Sequence, residues 1–306
     1  MKIFKRPDKK ILAAIRDNLS SFAFYAPSFF IYTAFLVLPA LLGLFYSFTS
    51  WNGVSSKISF IGLANYIEVF TDKRFIHSIL NTLFIMIIQV VLFNVLGLGL
   101  AALMENIIVN KLKQTLRAIY FFPYVISYVV VGTIWIYMLN YKDGVINEIL
   151  RRIGLGFMTT EVIGNPRLVN LAIAGINVWA FLGFYVVVYM SAMQTIPLSI
   201  YESCDIDGGK MFTKFFHITF PLVAPAFTVC LVLSVALGLG TFEPVLVLTQ
   251  GGPGFASETI SYYIYWAGSL SARQGYATAI SMVLFLTSLI IAIFQITVLV
   301  KREVEY

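Results

Sequence analysis

The chain alternates long apolar stretches with short polar ones, and the apolar stretches exceed what a soluble core needs. Six runs stand out, at about 22–49, 78–104, 117–139, 168–193, 219–241 and 277–300. Each can cross the roughly 30 Å hydrocarbon layer, which takes about 20 helical residues. Lipid offers no partner to free backbone groups, so uninterrupted helix is the expected form of every run. The pattern therefore predicts an all-α integral membrane protein with six transmembrane helices. They fill a single membrane domain, 22–306, behind a basic N-terminal segment, 1–21.

Composition sharpens this picture. The 306 residues are 59% hydrophobic and 12% charged, with a mean hydropathy of +0.86. A soluble domain is nearer half apolar and a quarter charged. The basic start, MKIFKRPDKK, resembles the n-region of a signal peptide, but the apolar run from Phe22 to Phe48 is too long for an h-region. No A-x-A-like site follows it, so it reads as an uncleaved first span. Ile11, Leu12, Ile15 and Leu19 recur at helical spacing opposite Lys9, Lys10 and Arg16. They predict either an amphipathic helix on the inner membrane surface or a plain basic tail.

Charge sets the expected orientation. With the N-terminus inside, 13 of the 21 Lys and Arg residues lie on the cytoplasmic side and 8 outside. The loop 141–167, with Lys142, Arg151, Arg152 and Arg167, runs against that bias. The basic tail precedes the first span, which usually dominates, so both termini are expected in the cytoplasm. The net charge of +6 is thus a topology signal and calls for no nucleic-acid partner. Cys204 and Cys230 fall in a loop and a span and suggest no disulfide. The external loops carry an amphipathic stretch at 66–70, a small helix at 144–152 and the turn-dense TQGGPG at 249–254.

One cytoplasmic segment is polar and glycine-hinged: YESCDIDGGKMFTKFFHITFPLVAP, from Tyr201 to Pro225. Pro197 suits the first turn of a short helix bearing Glu202 and Asp205. Gly208 and Gly209 supply the positive φ that ends it. A second short helix should place Met211, Phe212, Phe215 and Phe216 on one face, with Lys210 and Lys214 elsewhere. Pro221 and Pro225 mark re-entry into the membrane. Physics alone leaves three readings: a loop whose phenylalanines dip into lipid, an acid site built on Glu202, Asp205 and Asp207, or a knob docking into a partner's groove.

This segment resembles the EAA loop of permease subunits of bacterial ABC importers, roughly E-A-A-x-x-D-G-A followed by I-x-L-P. The matching positions are Glu202, Ser203, Cys204, Asp207, Gly208, Gly209, Ile218 and Pro221. Ser203, Cys204 and Gly209 stand where alanines are usual, and Phe220 where a leucine is. The wider chain is similar to the carbohydrate-uptake branch, the maltose and glycerol-phosphate type. The matching stretches are FIGLANYIEVF at 60–70, NTLFI at 81–85, RAIYFFPYVISYVVVGTIW at 117–135, QTIPLSIYE at 194–202, LTQGGPG at 248–254 and GYATAISMVLF at 275–285.

The resemblance implies a second permease, more often a related chain than a copy, and two cytoplasmic ATPase subunits that hold the EAA loops. It also implies an external solute-binding protein delivering a sugar. The residues agree on one point: no G-x-x-x-x-G-K-[ST] is present, since DGGK at 207–210 continues with Met211 and has Cys204 where the first glycine is needed. No catalytic residue and no cofactor is assigned to this chain, and ATP and magnesium would belong to the partner ATPase.

Polar residues within the spans are few. Asn177 and Trp179 lie mid-membrane in the fourth span, where an amide beside a stacking ring suits a sugar, and helix packing is the plainer alternative. Their N-x-W pattern resembles the family's maltose-type site. Tyr185 is expected near that face, and Glu243 beside Thr241 suggests a water-filled cavity or an ion pair. Asn81, Gln89, Asn94 and Gln295 read as interhelical glue, while Gly97 and Gly99 allow close approach. His77 and His217 lie on opposite sides and make no metal site. A secondary transporter would need coupling carboxylates in the spans, where only Glu243 comes close. An intramembrane enzyme would need a nucleophile–base pair, paired acids or a zinc motif, and none is present.

Overall fold

Helix dominates because the chain must satisfy its backbone internally. The computed structural model describes residues 24–105 and 109–299. The amphipathic segment expected over 8–20 lies outside the described residues, as do both ends of the chain. Four apolar helices are each continuous: α1 (Phe24–Ser47), α3 (Lys73–Glu105), α7 (Val169–Met193) and α13 (Gln274–Leu299). Short helices α2 (Ala64–Thr71) and α6 (Val145–Arg152) occupy the loops where amphipathic stretches were expected.

The third and fifth spans are not the uninterrupted helices expected. The third is α4 (Asn110–Val125) followed by α5 (Tyr128–Met138), bent by 97° at Ile126 and Ser127. Pro123 removes one N–H from the ladder, and Ile126 and Ser127 take extended ψ angles of 139° and 135°. The fifth begins with α9 (Met211–Leu222), turns by 70° at Val223, and continues as α10 (Ala224–Leu239) with Pro225 in its first turn. Residues 219–222, assigned to the fifth span from hydropathy, thus belong to the preceding helix. At 16 residues, α10 is about 24 Å long, short of the hydrocarbon thickness. The chain goes on through a short helix, α11 (Glu243–Leu248), then α12 (Ile260–Tyr265) and a π-helical turn, Trp266–Leu270.

The directions alternate as six crossings require. Asn170 bonds Asn81, Tyr189 bonds Asn94 and Gln194 bonds Glu105, so α3 and α7 run parallel. The first and last spans run antiparallel, with Gly43 opposite Met282 and Gly275 against Thr49. Loops therefore sort to two ends. One end holds 49–51, 72–82, the start of α7 and 249–275; the other holds 105, 113 and 194.

Contact is most extensive between α3 and α7, with α10 against α3 and α4 against α7. One core cluster joins Phe93, Tyr185, Tyr189 and Cys230; a second joins Ile85, Tyr128, Ile173 and Val245; a third joins Val69, Phe75, Tyr263 and Ile280. In lipid the surface has no reason to be polar, and α1 leaves Phe24 82% and Phe35 78% exposed. Small residues let helices approach. A Cβ on Gly183 of α7 would lie 2.1 Å from the Tyr120 carbonyl oxygen of α4. Gly97 meets Tyr185 and Tyr189 as expected, whereas Gly99 faces open space.

Gly183→Ala should force α4 off α7 and lower stability by about 1–3 kcal/mol. Gly175→Ala, on the same helix with nothing within 4 Å, should be neutral or slightly stabilising. Thermal denaturation of both variants in one detergent checks this, and equal melting temperatures would refute the contact.

Candidate functional site

Between the fourth and fifth spans, the chain forms two short helices hinged at glycine. Pro197 caps α8 (Leu198–Ile206), and the helix ends in a paired backbone lock. Gly209 N–H donates to the Cys204 carbonyl at 2.8 Å, and Gly208 N–H to that of Asp205 at 3.0 Å. This is the Schellman arrangement, which needs a left-handed residue at its hinge. Gly208 supplies it with φ of +75°. Gly209 does not, contrary to expectation. Its glycine is required by contact instead, since a Cβ there would meet Cys204 Sγ at 2.2 Å.

The second helix folds back onto the first. Lys214 Nζ pairs with Asp205 Oδ1 at 2.5 Å, and the Tyr201 and Thr219 hydroxyls lie 3.0 Å apart. At Phe215 the helix widens into a π-helical turn, Phe215–Thr219, which shifts the register of the aromatic face. Phe215 is therefore half-buried against the core, while Met211, Phe212 and Phe216 stay exposed. Ile206 and Phe212 project furthest, 87% and 77% exposed. Glu202, Asp205 and Asp207 are exposed, and Ile218 and Pro221 are half-buried. A groove of about 650 Å³ runs beneath, bordered by Gly99, Leu103, Met193, Glu202, Phe212 and Phe216. The acids do not converge: Asp205 is paired with Lys214, and no metal-binding group of His, Cys, Asp or Glu exists among the described residues.

The span residues separate. Residues two positions apart on a helix differ by about 200° in direction. Accordingly Asn177 is buried, its Oδ1 without a hydrogen-bond partner among the described residues, while Trp179 is 42% exposed and lies edge-on to Trp135 at 5.6 Å. Tyr185 is buried and stacks on Phe93 at 4.3 Å. Thr241 is buried, whereas Glu243 opens α11 at an exposed position. Asn94 is interhelical glue: it accepts from Tyr189 at 2.6 Å and donates to Ser234 at 3.2 Å. Gln89 is fully buried, and neither end of its amide has a partner among the described residues.

Sequence reasoning missed a polar lock at the opposite end. Arg74 grips Glu258 with two bonds of 2.7 Å, and Glu258 is 1% exposed. Phe255, Tyr263 and Trp266 surround the guanidinium at 3.5–4.9 Å. Asn81 donates to the Glu258 carbonyl and Asn170 to that of Ala256, fixing the glycine-rich turn over α3 and α7. Thr259 Oγ1 donates to the Thr241 carbonyl at 2.6 Å and Ser261 to that of Leu239 at 3.3 Å. They occupy acceptors freed where α10 ends. Nearby, burial acts to raise Asp72, but hydrogen bonds from Tyr263, Tyr276 and the Arg74 and Phe75 backbone hold it below the usual carboxylate range. The signal was opposite charges at the edges of two loops, which the orientation count used only for the sign of each cation.

The fold and this loop define a helical membrane permease. The pattern of the binding-protein-dependent transport system inner membrane component family matches residues 94–305, and the chain belongs to that family. It is a multi-pass inner membrane protein. It is similar to the probable ABC transporter permease protein YurN of Bacillus subtilis, 30% identical over 280 residues, 92% of this chain and 96% of that one. The trehalose/maltose transport system permease protein MalF of Thermococcus litoralis is 30% identical over 289 residues, 92% and 94% of the two chains. Among solved structures, a bacterial ABC transporter involved in the import of the acidic polysaccharide alginate superposes with a TM-score of 0.84 at 25% identity, covering 95% of this chain and 99% of that one.

Glu258→Gln should leave the half-buried Arg74 without its counter-charge and lower the melting temperature, by less than the roughly 3–5 kcal/mol that breaking a fully buried pair costs. Asp72 sits below its ordinary pKa of 3.8, so its contribution is present at neutral pH and lost only as the pH falls through its lowered value. Asp72→Asn should therefore flatten the stability profile below about pH 4. A profile unchanged by the substitution would remove Asp72 from the network.

Proposed function

We propose that the chain is the membrane-spanning permease subunit of an ATP-driven ABC importer that carries a sugar or oligosaccharide delivered by an extracytoplasmic binding protein. The observation that carries this reading is the rigid helix–glycine–helix knob, with Ile206, Phe212 and Phe216 exposed on a chain of this family. Relatives named for trehalose and maltose, for starch degradation products and for multiple sugars support the substrate class. A neighbouring structure solved with an alginate pentasaccharide-bound periplasmic protein supports the delivery step.

The knob docks in a cleft of a cytoplasmic ATPase subunit, and two such subunits, with their ATP and magnesium, supply the energy. Glu202, Asp205, Asp207, Gly208, Gly209, Met211, Phe212, Phe215, Phe216, Ile218 and Pro221 form the coupling element. Closure of the ATPase pair moves α8 and α9 as one body, because the Schellman lock and the Lys214–Asp205 pair join them. A second permease, related but distinct, completes the pathway. Both termini lie in the cytoplasm, and the Arg74–Glu258 end faces outward. Asn177, Trp179, Tyr185, Thr241 and Glu243 are the pathway candidates, with the burial of Tyr185 favouring a packing role for it. The alternative of a self-sufficient secondary transporter has little support. Glu258 is neutralised by Arg74, Asp72 is held by Tyr263 and Tyr276, and Glu243 is exposed.

Purified alone in lipid, the chain should neither bind nor hydrolyse ATP. Hydrolysis with no ATPase subunit detectable by mass spectrometry would overturn the reading. Gly208→Val should misdirect α9, because a β-branched residue at positive φ is strained. Phe212→Ala should weaken ATPase association by about 1.5–3 kcal/mol, the worth of one buried aromatic. Both variants should still insert, yet fail in an ATPase pull-down and an uptake assay on the same membranes. Asn177→Ala and Trp179→Ala should each reduce sugar uptake partially, by the roughly 0.5–1.5 kcal/mol of one hydrogen bond in the case of Asn177. Unchanged uptake in both would assign them to packing.

A further inference from the structure

A second, smaller cavity lies at the same end of the bundle as the coupling element, on the flank of α4. It measures about 190 Å³ and is lined by Lys113, Gln114, Arg117 and Gln194. Lys113 and Arg117 are four residues apart, so one helix flank carries both cations. Gln194 follows directly after α7. Arg117 Nε is buried and has no hydrogen-bond partner among the described residues. A guanidinium N–H removed from water requires an acceptor, and an unfilled one is costly.

The one neighbouring carboxylate among the described residues is already committed. Glu105 accepts from Lys113 on one oxygen and from Gln194 Nε2, at 2.8 Å, on the other. Lys113 and Glu105 therefore cancel, leaving the positive charge of Arg117 beside a cavity lined with N–H donors. A tetrahedral oxyanion matches that arrangement, since its oxygens accept several charge-assisted bonds at once. We propose that Lys113, Gln114, Arg117 and Gln194 form a binding site for one phosphate-type anion at the edge of the coupling element. The anion joins the α4 flank to the residue that leads into α8, so its occupancy bears on how firmly the two are held together.

The phosphate can belong to an anionic lipid headgroup or be free in solution, and the test separates these sources. The full chain, purified with the subunits that accompany it, is titrated with phosphatidylglycerol or phosphatidylcholine by native mass spectrometry. Its melting temperature is followed separately in inorganic phosphate against chloride at equal ionic strength. Wild type should retain phosphatidylglycerol in preference to phosphatidylcholine, and Arg117→Gln should weaken that binding about tenfold or more, the equivalent of one charge-assisted contact. Saturable stabilisation by phosphate that Arg117→Gln abolishes, without lipid preference, would support the same site with a soluble ligand. Should Arg117→Gln fail to assemble, Gln114→Leu, at an exposed position, reads out the same loss. Equal responses to both anions in wild type and in the variants that assemble would overturn the site.

Discussion

Lipid supplies no hydrogen-bond partner, and nearly every feature of this fold answers that constraint. Four spans meet it by continuous helix. The other two break, and a break inside a membrane exposes carbonyl and amide groups that cost several kcal/mol each when unmet. At the end of α10 the chain resolves this with the loop that follows it. Thr259 and Ser261 reach the carbonyls of Thr241 and Leu239, so the loop acts as a cap for the interrupted span. That loop must then be held in place, and the pair of half-buried Arg74 with buried Glu258, with its aromatic surround, does so. An ion pair that would be marginal on a soluble surface is here the anchor of an entire end of the bundle.

The two ends of the protein are built on different physics. The Arg74–Glu258 end is locked by long-range polar bonds, which join residues more than 170 positions apart. Between α8 and α9 the bonds are short-range, at most 18 positions apart, and the large apolar side chains are left uncovered. A rigid knob with bare anchors suits a part that must fit into another protein. A tightly bonded cap suits a part that must stay closed on itself.

Resemblance and structure meet most closely in the glycine pair. The sequence pattern treats Gly208 and Gly209 as one hinge, and the fold gives them separate duties. Gly208 provides the left-handed turn, while Gly209 leaves room for Cys204. The departures from alanine in this stretch become intelligible together, because a thiol at 204 and a missing Cβ at 209 fit each other.

Apolar periodicity and length were enough to place four continuous apolar helices, the two apolar stretches that the structure bends, the small loop helices and the helix–glycine–helix element, because each depends on neighbours in sequence. The positive φ at Gly208 was legible for the same reason. Three things were not. The right-angle bend at Ile126 and Ser127 depends on how α4 meets α7 at Gly183, and Pro123 alone does not require it. The inward turn of Phe215 follows from a π-helical register shift that periodicity at 3.6 residues cannot anticipate. The partnership of Arg74 with Glu258 spans 184 positions, and only the packing of spans 2 and 5, α3 against α10, brings the two loops together. Asn177 and Trp179 illustrate the division. Their spacing set them on opposite sides of a helix, and tertiary packing then decided which one was buried. Hydrophobicity is a local property and is written along the chain, whereas the satisfaction of a buried polar group is a property of whatever lies opposite it.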